Sequence, residues 1–248
     1  MNYKIGIDYG GTKIEGILIN DKGEEILRKR SGYEKNYESG VNTIKNLVEE
    51  FDKHTNSKNS VGIGIPGSSS KENGLIKNAN SIWLNGKPFK KDLEMSLDRE
   101  IKIMNDANCF ALSEAIDGSG ANYNTVWGVI IGSGFGGSFV HNKKVVEGVN
   151  QVAGDWGHQP LPYPSKEEWD LNLKCPVDNC GRPLCAEQFI SGIGFTNIFN
   201  RKYKTNFTTK EIVDLELNGD ERAKKEFDLY EDRLSLIHIS EPTRHKTI

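Results

Sequence analysis

The sequence predicts an α/β protein of two domains, and three observations carry that prediction. Apolar residues alternate with polar ones over Lys4–Tyr9 and Lys13–Asn20, two strands joined by Gly10-Gly11-Thr12. A second glycine-rich strand–turn–strand opens with Thr125–Ile131 and runs to Val146. Between the two lies Asp117-Gly-Ser-Gly120 followed by Asn122-Tyr-Asn124, the turn-rich stretch where a domain boundary belongs. The reading is therefore residues 1–117 as the first domain and 118–233 as the second.

Taken in order, Asp21-Lys-Gly23 is a turn and Glu24–Arg30 a third strand, which completes a meander. Val41, Ile44, Leu47, Val48 and Phe51 mark an amphipathic helix from about Tyr37 to Lys53. Val61–Ile65 is a buried strand stopped by Pro66-Gly67-Ser68. Gly74–Trp83, with Asn78-Ala-Asn80, reads as loop or short strand. A helix containing Leu93 and Leu97 leads to a strand at Ile101–Met104, and Ala107–Ala115 is helical again.

The first Gly-Gly turn leaves backbone N–H groups to hold an anion, with Thr12 and Lys13 adding donors. It is no Walker A loop, because Thr12 precedes Lys13. The second, Gly132-Ser-Gly134-Phe-Gly136-Gly137, formally matches the dinucleotide fingerprint. That use requires a helix immediately afterwards. Here Ser138–Val140, His141-Asn142-Lys143 and Lys144–Val146 read as strand, turn and strand, so the dinucleotide reading fails. Two glycine turns, one per domain, remain as a pair of phosphate clamps.

Asp106 stands where a strand hands over to a helix. In open α/β sheets ligands collect at the carboxyl ends of strands. An acid there is either a helix N-cap, which propensity favours, or a general base; its surroundings decide.

Farther on, Gly154-Asp155-Trp156-Gly157-His158 precedes a polar passage. Cys175, Cys180 and Cys185 then fall within eleven residues, ahead of Glu187. One histidine with three cysteines is a common structural zinc set. Pro176, Gly181 and Pro183 make this a loop rather than a core strand. A disulfide is the competing reading, but it leaves one of the clustered thiols over. A metal tying His158 to Cys185 would gather Asp155 and Glu187 near one point, which suits a ligand with several hydroxyls. Beyond it, Gln188 to about Asn206 is predicted helical, Thr208-Thr-Lys-Glu211 opens a helix ending at Asn218-Gly219, and Glu221–Arg233 is the last.

Composition excludes other classes. Thirty-two basic and 35 acidic residues give a net charge of −3, too balanced for a nucleic-acid binder. No apolar run approaches the ~20 residues that span a bilayer. An acid as early as Asp8 argues against a signal peptide, so a cytoplasmic protein is expected.

With these residues assembled, the chain from residue 2 to about 233 resembles the ROK sugar kinases, a branch of the actin-like and Hsp70-like ATPases. The carriers are Gly6-Ile-Asp-Tyr-Gly-Gly-Thr-Lys13, Gly64-Ile-Pro-Gly67, Asn105-Asp-Ala-Asn108, Gly132-Ser-Gly134, Gly154-Asp-Trp-Gly-His158 and Cys180–Glu187. Lys77-Asn-Ala-Asn-Ser-Ile-Trp-Leu-Asn-Gly86 looks most like bacterial fructokinases, whereas Asn108-Cys-Phe-Ala-Leu-Ser-Glu114 is shared with N-acetylglucosamine kinases.

The resemblance implies two ribonuclease-H-like domains and ATP-dependent phosphorylation of a hexose primary hydroxyl. Fructose is the first expectation; glucose, an N-acetylhexosamine or an inactive sugar-binding fragment are the alternatives. It implies Asp106 as the base, with Gly67, Asn80, Asn105, Asp155, His158 and Glu187 around the sugar. Asp8, Gly10, Gly11, Thr12, Lys13, Gly132, Ser133, Gly134, Gly136 and Gly137 would surround ATP and Mg²⁺. Structural Zn²⁺ would sit on His158, Cys175, Cys180 and Cys185. Relatives often dimerise, so a homodimer is implied. Family members that are repressors carry an N-terminal helix-turn-helix, whereas this chain starts on a strand.

Three departures stand out. Asp155 replaces the usual Glu. The usual Cys-x-Cys becomes Cys175-x-x-x-x-Cys180, with Asp178 where one thiolate is expected. Family members also continue past residue 233 with a further strand and a second adenosine-holding glycine turn. Here Leu234–Arg244 looks like an in-frame translation of a sequencing-library transposon adapter. Residues 234–248 are read as a non-native tail on a C-terminally truncated sugar kinase fold.

Overall fold

A computed structural model describes residues 2–149, 151, 153, 154, 156–171 and 182–239. The chain divides into two compact units, Met1–Phe110 and Ala111–Ile248.

In the first unit, β1 (Tyr3–Tyr9), β2 (Lys13–Asn20) and β3 (Glu25–Gly32) form the expected antiparallel meander. After α1 (Tyr37–Thr55), strand β4 (Ser60–Ile65) adds parallel to β1. A small hairpin, β5 (Ser68–Ser69) and β6 (Ile76–Lys77), is followed by a 3₁₀ turn at Ile82–Leu84 and α2 (Phe89–Leu97). Strand β7 (Ile101–Asn105) then pairs parallel with β4, giving the order β3-β2-β1-β4-β7. The core follows from the sequence pattern. Ile5 and Ile7 of β1, with Ile14 and Leu18 of β2, pack in one cluster with Ile44, Leu47, Val48 and Phe51 of α1. Each such side chain, removed from water, contributes about 1.5–3 kcal/mol. Asn36 caps α1 by accepting from Ser39 N at 2.8 Å, and Asn56 ends it in the left-handed conformation.

Helix α3 (Asp106–Ile116) follows directly on β7, and the division of the chain into units falls within its residues. In the second unit, β8 (Thr125–Ile131), β9 (Phe135–His141) and β10 (Lys144–Val145) form an antiparallel sheet in the order β10-β9-β8. Strand β9 begins at Phe135, earlier than the sequence predicts. Register pairing of Ile131 with Phe135 leaves only Gly132-Ser133-Gly134 as the turn, and Gly136 and Gly137 lie within the strand.

Helix α4 (Lys166–Leu171) falls in the passage read as merely polar. Its start is a reciprocal cap, with Ser165 N donating to the Glu168 carboxylate and Glu168 N to Ser165 Oγ. The single helix expected over 188–206 is two, α5 (Glu187–Ile190) and α6 (Gly192–Tyr203). The break is at Ser191, whose extended backbone and side chain cap α6 by accepting from Gly194 N at 3.0 Å. Helix α7 (Thr209–Leu217) opens with the expected Thr208/Glu211 capping box. Helix α8 (Glu221–Ile239) continues past residue 233, where the sequence reading ended the native chain. Among the described residues no helix is long and apolar enough to cross a membrane.

Candidate active site

The first unit gathers its expected residues at the carboxyl ends of its three parallel strands. Asp8 is near the end of β1, Gly67 follows β4 and Asp106 follows β7. Asp106 is exposed and opens α3, where the first turn's dipole favours an anion; its own Oδ1 accepts from Ala107 N at 2.8 Å. Cys109 lies one helical turn on. Its thiol is pushed up to about 11 by burial first, then by the carboxylates of Asp106 and Asp8, so both acids act on one spot. Asp8 itself is raised, by desolvation and then by Glu15, against the pull of Arg30.

Asn105 is half-buried and holds the floor of this group. Its Nδ2 donates to Gly67 O at 3.0 Å and its Oδ1 accepts from Asn108 N at 3.2 Å. The amide's second hydrogen is the one that could reach a ligand. Gly67 has φ +77°, and a Cβ there would overlap the Lys77–Ala79 backbone, so glycine alone lets the two loops meet. Asn85 clamps Ala79 through its amide, accepting from Ala79 N and donating to Ala79 O at 2.9 Å each, which leaves the neighbouring Asn80 exposed.

In the first glycine turn, Gly10 N donates to Lys13 O at 3.1 Å and Tyr33 Oη donates to Gly10 O at 2.9 Å. The N–H of Gly10 therefore closes its own turn, contrary to the expectation that it points at an anion. Gly11, Thr12 and Lys13 are exposed. Sequence reasoning missed Ser68 and Ser81, whose buried hydroxyls have no partner among the described residues. They adjoin Gly67 and Asn80, and a buried hydroxyl left without a partner needs an explanation. Only their position beside those two residues could have flagged them.

In the second unit the backbone brings distant residues together. Segments 157–161 and 184–187 pair, with Leu161 N donating to Leu184 O at 2.7 Å, Ala186 N to Gln159 O at 2.9 Å and Glu187 N to Gly157 O at 2.9 Å. This pairing sets His158 Nδ1 3.5 Å from Cys185 Sγ. Trp156 anchors the loop, its ring 4.4 Å from that of Trp127 and 5.0 Å from that of Phe135. A Cβ on Gly157 would overlap the Phe135 carbonyl, so this loop can lie flush on β9 only with glycine there. Arg182, not foreseen, donates to His158 O at 3.1 Å.

Bond lengths of about 2.3 Å to sulfur and about 2.05 Å to nitrogen, at a tetrahedral angle, separate two zinc donors by about 3.5 Å. The His158–Cys185 pair fits that spacing. Cys175, Cys180, Asp178 and Asp155 lie outside the described residues, and among the described residues no group of three ligands forms a metal centre. Glu187 is buried, 4% exposed, and its carboxylate accepts from Phe135 N at 2.9 Å. The exposed Gly132 and Ser133 begin the second glycine turn.

An N-acetyl-D-glucosamine kinase of Citrobacter koseri is 37% identical over 232 residues, 93% of this chain and 77% of that protein. The enzyme of the same name from Haemophilus influenzae is 39% identical over 221 residues, 88% of this chain and 72% of its own length. A ROK family glucokinase from Streptomyces griseus, solved with glucose and AMPPNP, shares the fold at a TM-score of 0.72 and 23% identity. The match covers 92% of this chain and 75% of that one. The chain thus spans about three quarters of the length of these proteins. None of the three is named a fructokinase, and the fructose expectation finds no support among them. Residues 4–240 match the ROK family, and the chain belongs to it.

Proposed function

We propose that the protein is an ATP-dependent kinase that phosphorylates a primary hydroxyl of an N-acetylhexosamine, N-acetylglucosamine first. The chemistry rests on one observation, the exposed Asp106 carboxylate at the junction of β7 and α3. The choice of sugar rests on the names of the curated relatives, which replace fructose as the working substrate.

In this reading Asp106 takes the proton from the sugar hydroxyl while that oxygen bonds to the γ-phosphorus and ADP leaves. A positioned base contributes typically about 10²–10⁴-fold. Asn105, fixed between Gly67 and α3, orients the acceptor hydroxyl, and Gly67, Asn80, Asp155, His158 and Glu187 hold the others. The turns at 10–13 and 132–134 receive the phosphates. Asp8, raised by desolvation and then by Glu15, offers a hard oxygen donor and would hold Mg²⁺. Bound Mg²⁺ neutralises charge on the transferring phosphoryl group. His158 and Cys185, with Cys175 and Cys180, would hold a structural zinc that fixes the ring of His158.

The test is ADP release over N-acetylglucosamine, N-acetylmannosamine, glucose and fructose. N-acetylglucosamine is expected to give the highest kcat/KM. Asp106→Asn is expected to lower kcat by about 10²–10⁴-fold with sugar KM little changed. A preference for fructose refutes the substrate, and near-normal turnover by Asp106→Asn refutes the base.

A further inference from the structure

Glu187 is tied to more than the loop that carries His158. Its Oε2 accepts from the backbone N–H of Phe135 at 2.9 Å, the residue that closes the Gly132-Ser133-Gly134 turn and starts β9. The opposite end of the turn is held from the same segment, where Gly192 N donates to Gly132 O at 2.8 Å. Gly132 N in turn donates across the turn to Gly134 O at 2.9 Å. Residues 187–192 therefore grip the turn at both ends, one grip being a carboxylate and the other an amide. Through its own backbone, Glu187 N donates to Gly157 O at 2.9 Å, on the neighbour of His158.

Phe135 is 3% exposed, so its N–H has little water to turn to if the carboxylate is removed. An unmet buried donor carries its full desolvation cost, and a bond to a charged acceptor is stronger than a neutral one. We propose that Glu187 is a positioning residue for the second glycine turn. It couples the segment expected to hold the acceptor sugar to the segment expected to hold the nucleotide phosphates. The inference rests on the kinase reading for what those segments bind, but it assigns to Glu187 a role on the nucleotide side that a sugar-holding acid does not need.

Glu187→Ala and Glu187→Gln separate the roles, because the amide oxygen of Gln still accepts from Phe135 N and Ala offers nothing. The probe is Mg-ADP binding by calorimetry with no sugar present, alongside backbone amide exchange at Phe135. Glu187→Ala is expected to weaken Mg-ADP by about tenfold and to speed exchange at Phe135 by about the same factor, the worth of one such bond. Glu187→Gln is expected to stay within about threefold of the unaltered chain on both, while losing more affinity for N-acetylglucosamine. Unchanged Mg-ADP affinity in Glu187→Ala overturns the inference, even where exchange accelerates. Equal losses in the two variants overturn it too, since charge rather than the bond to Phe135 would then matter. An unaltered chain that binds no Mg-ADP fails the kinase reading itself, which this comparison tells apart from a failure of the coupling alone.

Discussion

Cys109 is the side chain that reports on its acidic neighbours. Its thiol is held up to about 11, against an ordinary 9.0, by burial and then by Asp106 and Asp8. Between those two values the folded chain keeps a proton that the unfolded chain has lost, so stability declines as pH rises across that window. Alkylation of Cys109, followed by peptide mass spectrometry, is expected to climb about tenfold per pH unit through pH 10. Asp106→Asn removes one carboxylate field and is expected to shift the profile to lower pH. Levelling near pH 9, or no shift in that variant, would place Asp106 too far from the thiol to act on it. Asp106 was legible as a strand-end acid in the sequence, but its two readings were not separable there. A cap and a base occupy the same position in the chain, and the residue pattern marks both alike. The internal use of Asn105 was invisible for a related reason. Its partners are Gly67, far away in sequence, and an amide three residues on.

At the scale of elements, Asp52 in the last turn of α1 joins three of them. It accepts from Asn59 N and Nδ2 at 3.0 Å each, at the approach to β4, and pairs with Arg99, just before β7. Desolvation alone would raise its pKa, but the Arg99 and Asn59 donors overcome that and hold it below its ordinary 3.8. A lowered carboxylate contributes stability above the unfolded pKa and loses it as pH falls through the folded value. Asp52→Asn is expected to cost about 2–3 kcal/mol in urea unfolding at pH 7, less than a fully buried pair because both side chains keep some solvent. It should also flatten the decline of stability below pH about 4. Matching acid limbs for the two proteins would rule out the linkage. Period-two and period-3.6 patterns made β1, β2 and α1 readable, since each buries one face, and the apolar run Val61–Ile65 marked β4 as a buried strand. The break at Ser191 was not, because a serine before Gly-Ile-Gly fits a helix interior or a cap equally well without its tertiary neighbours. The start of α4 was readable in principle from Ser165-Lys-Glu-Glu168 and went unread because few apolar residues follow it.

For the molecule as a whole, the sequence motifs carried the family and the α/β class. The substrate lay beyond them, because sugars differ by single substituents that loop side chains meet one at a time. A zinc shared by His158 and the cysteines would tie the segment at 157–161 to the one at 184–187 and, through Glu187, to β9. The pairing of 157–161 with 184–187 sets two donors 3.5 Å apart, the spacing of zinc ligands. The same distance serves a plain hydrogen bond between thiol and imidazole, and the Cys185 thiol also donates to Gly157 O at 3.3 Å, so the discriminating property is what holds the other two thiols. If a zinc is shared, the protein should be purified with a single zinc per chain by atomic absorption. Removing it with phenanthroline should expose two fast-reacting thiols, Cys175 and Cys180, while the fully buried Cys185 stays slow and Cys109 does too, its proton held by burial and two acids rather than by metal. Zinc added back should restore both thiol protection and sugar affinity, and Mg²⁺ should restore neither, since a hard cation prefers oxygen donors. A protein purified free of zinc, with thiol reactivity indifferent to the chelator, would leave the loop held by backbone pairing alone. Sugar affinity would then have to survive substitution of Cys175 and Cys180 by serine.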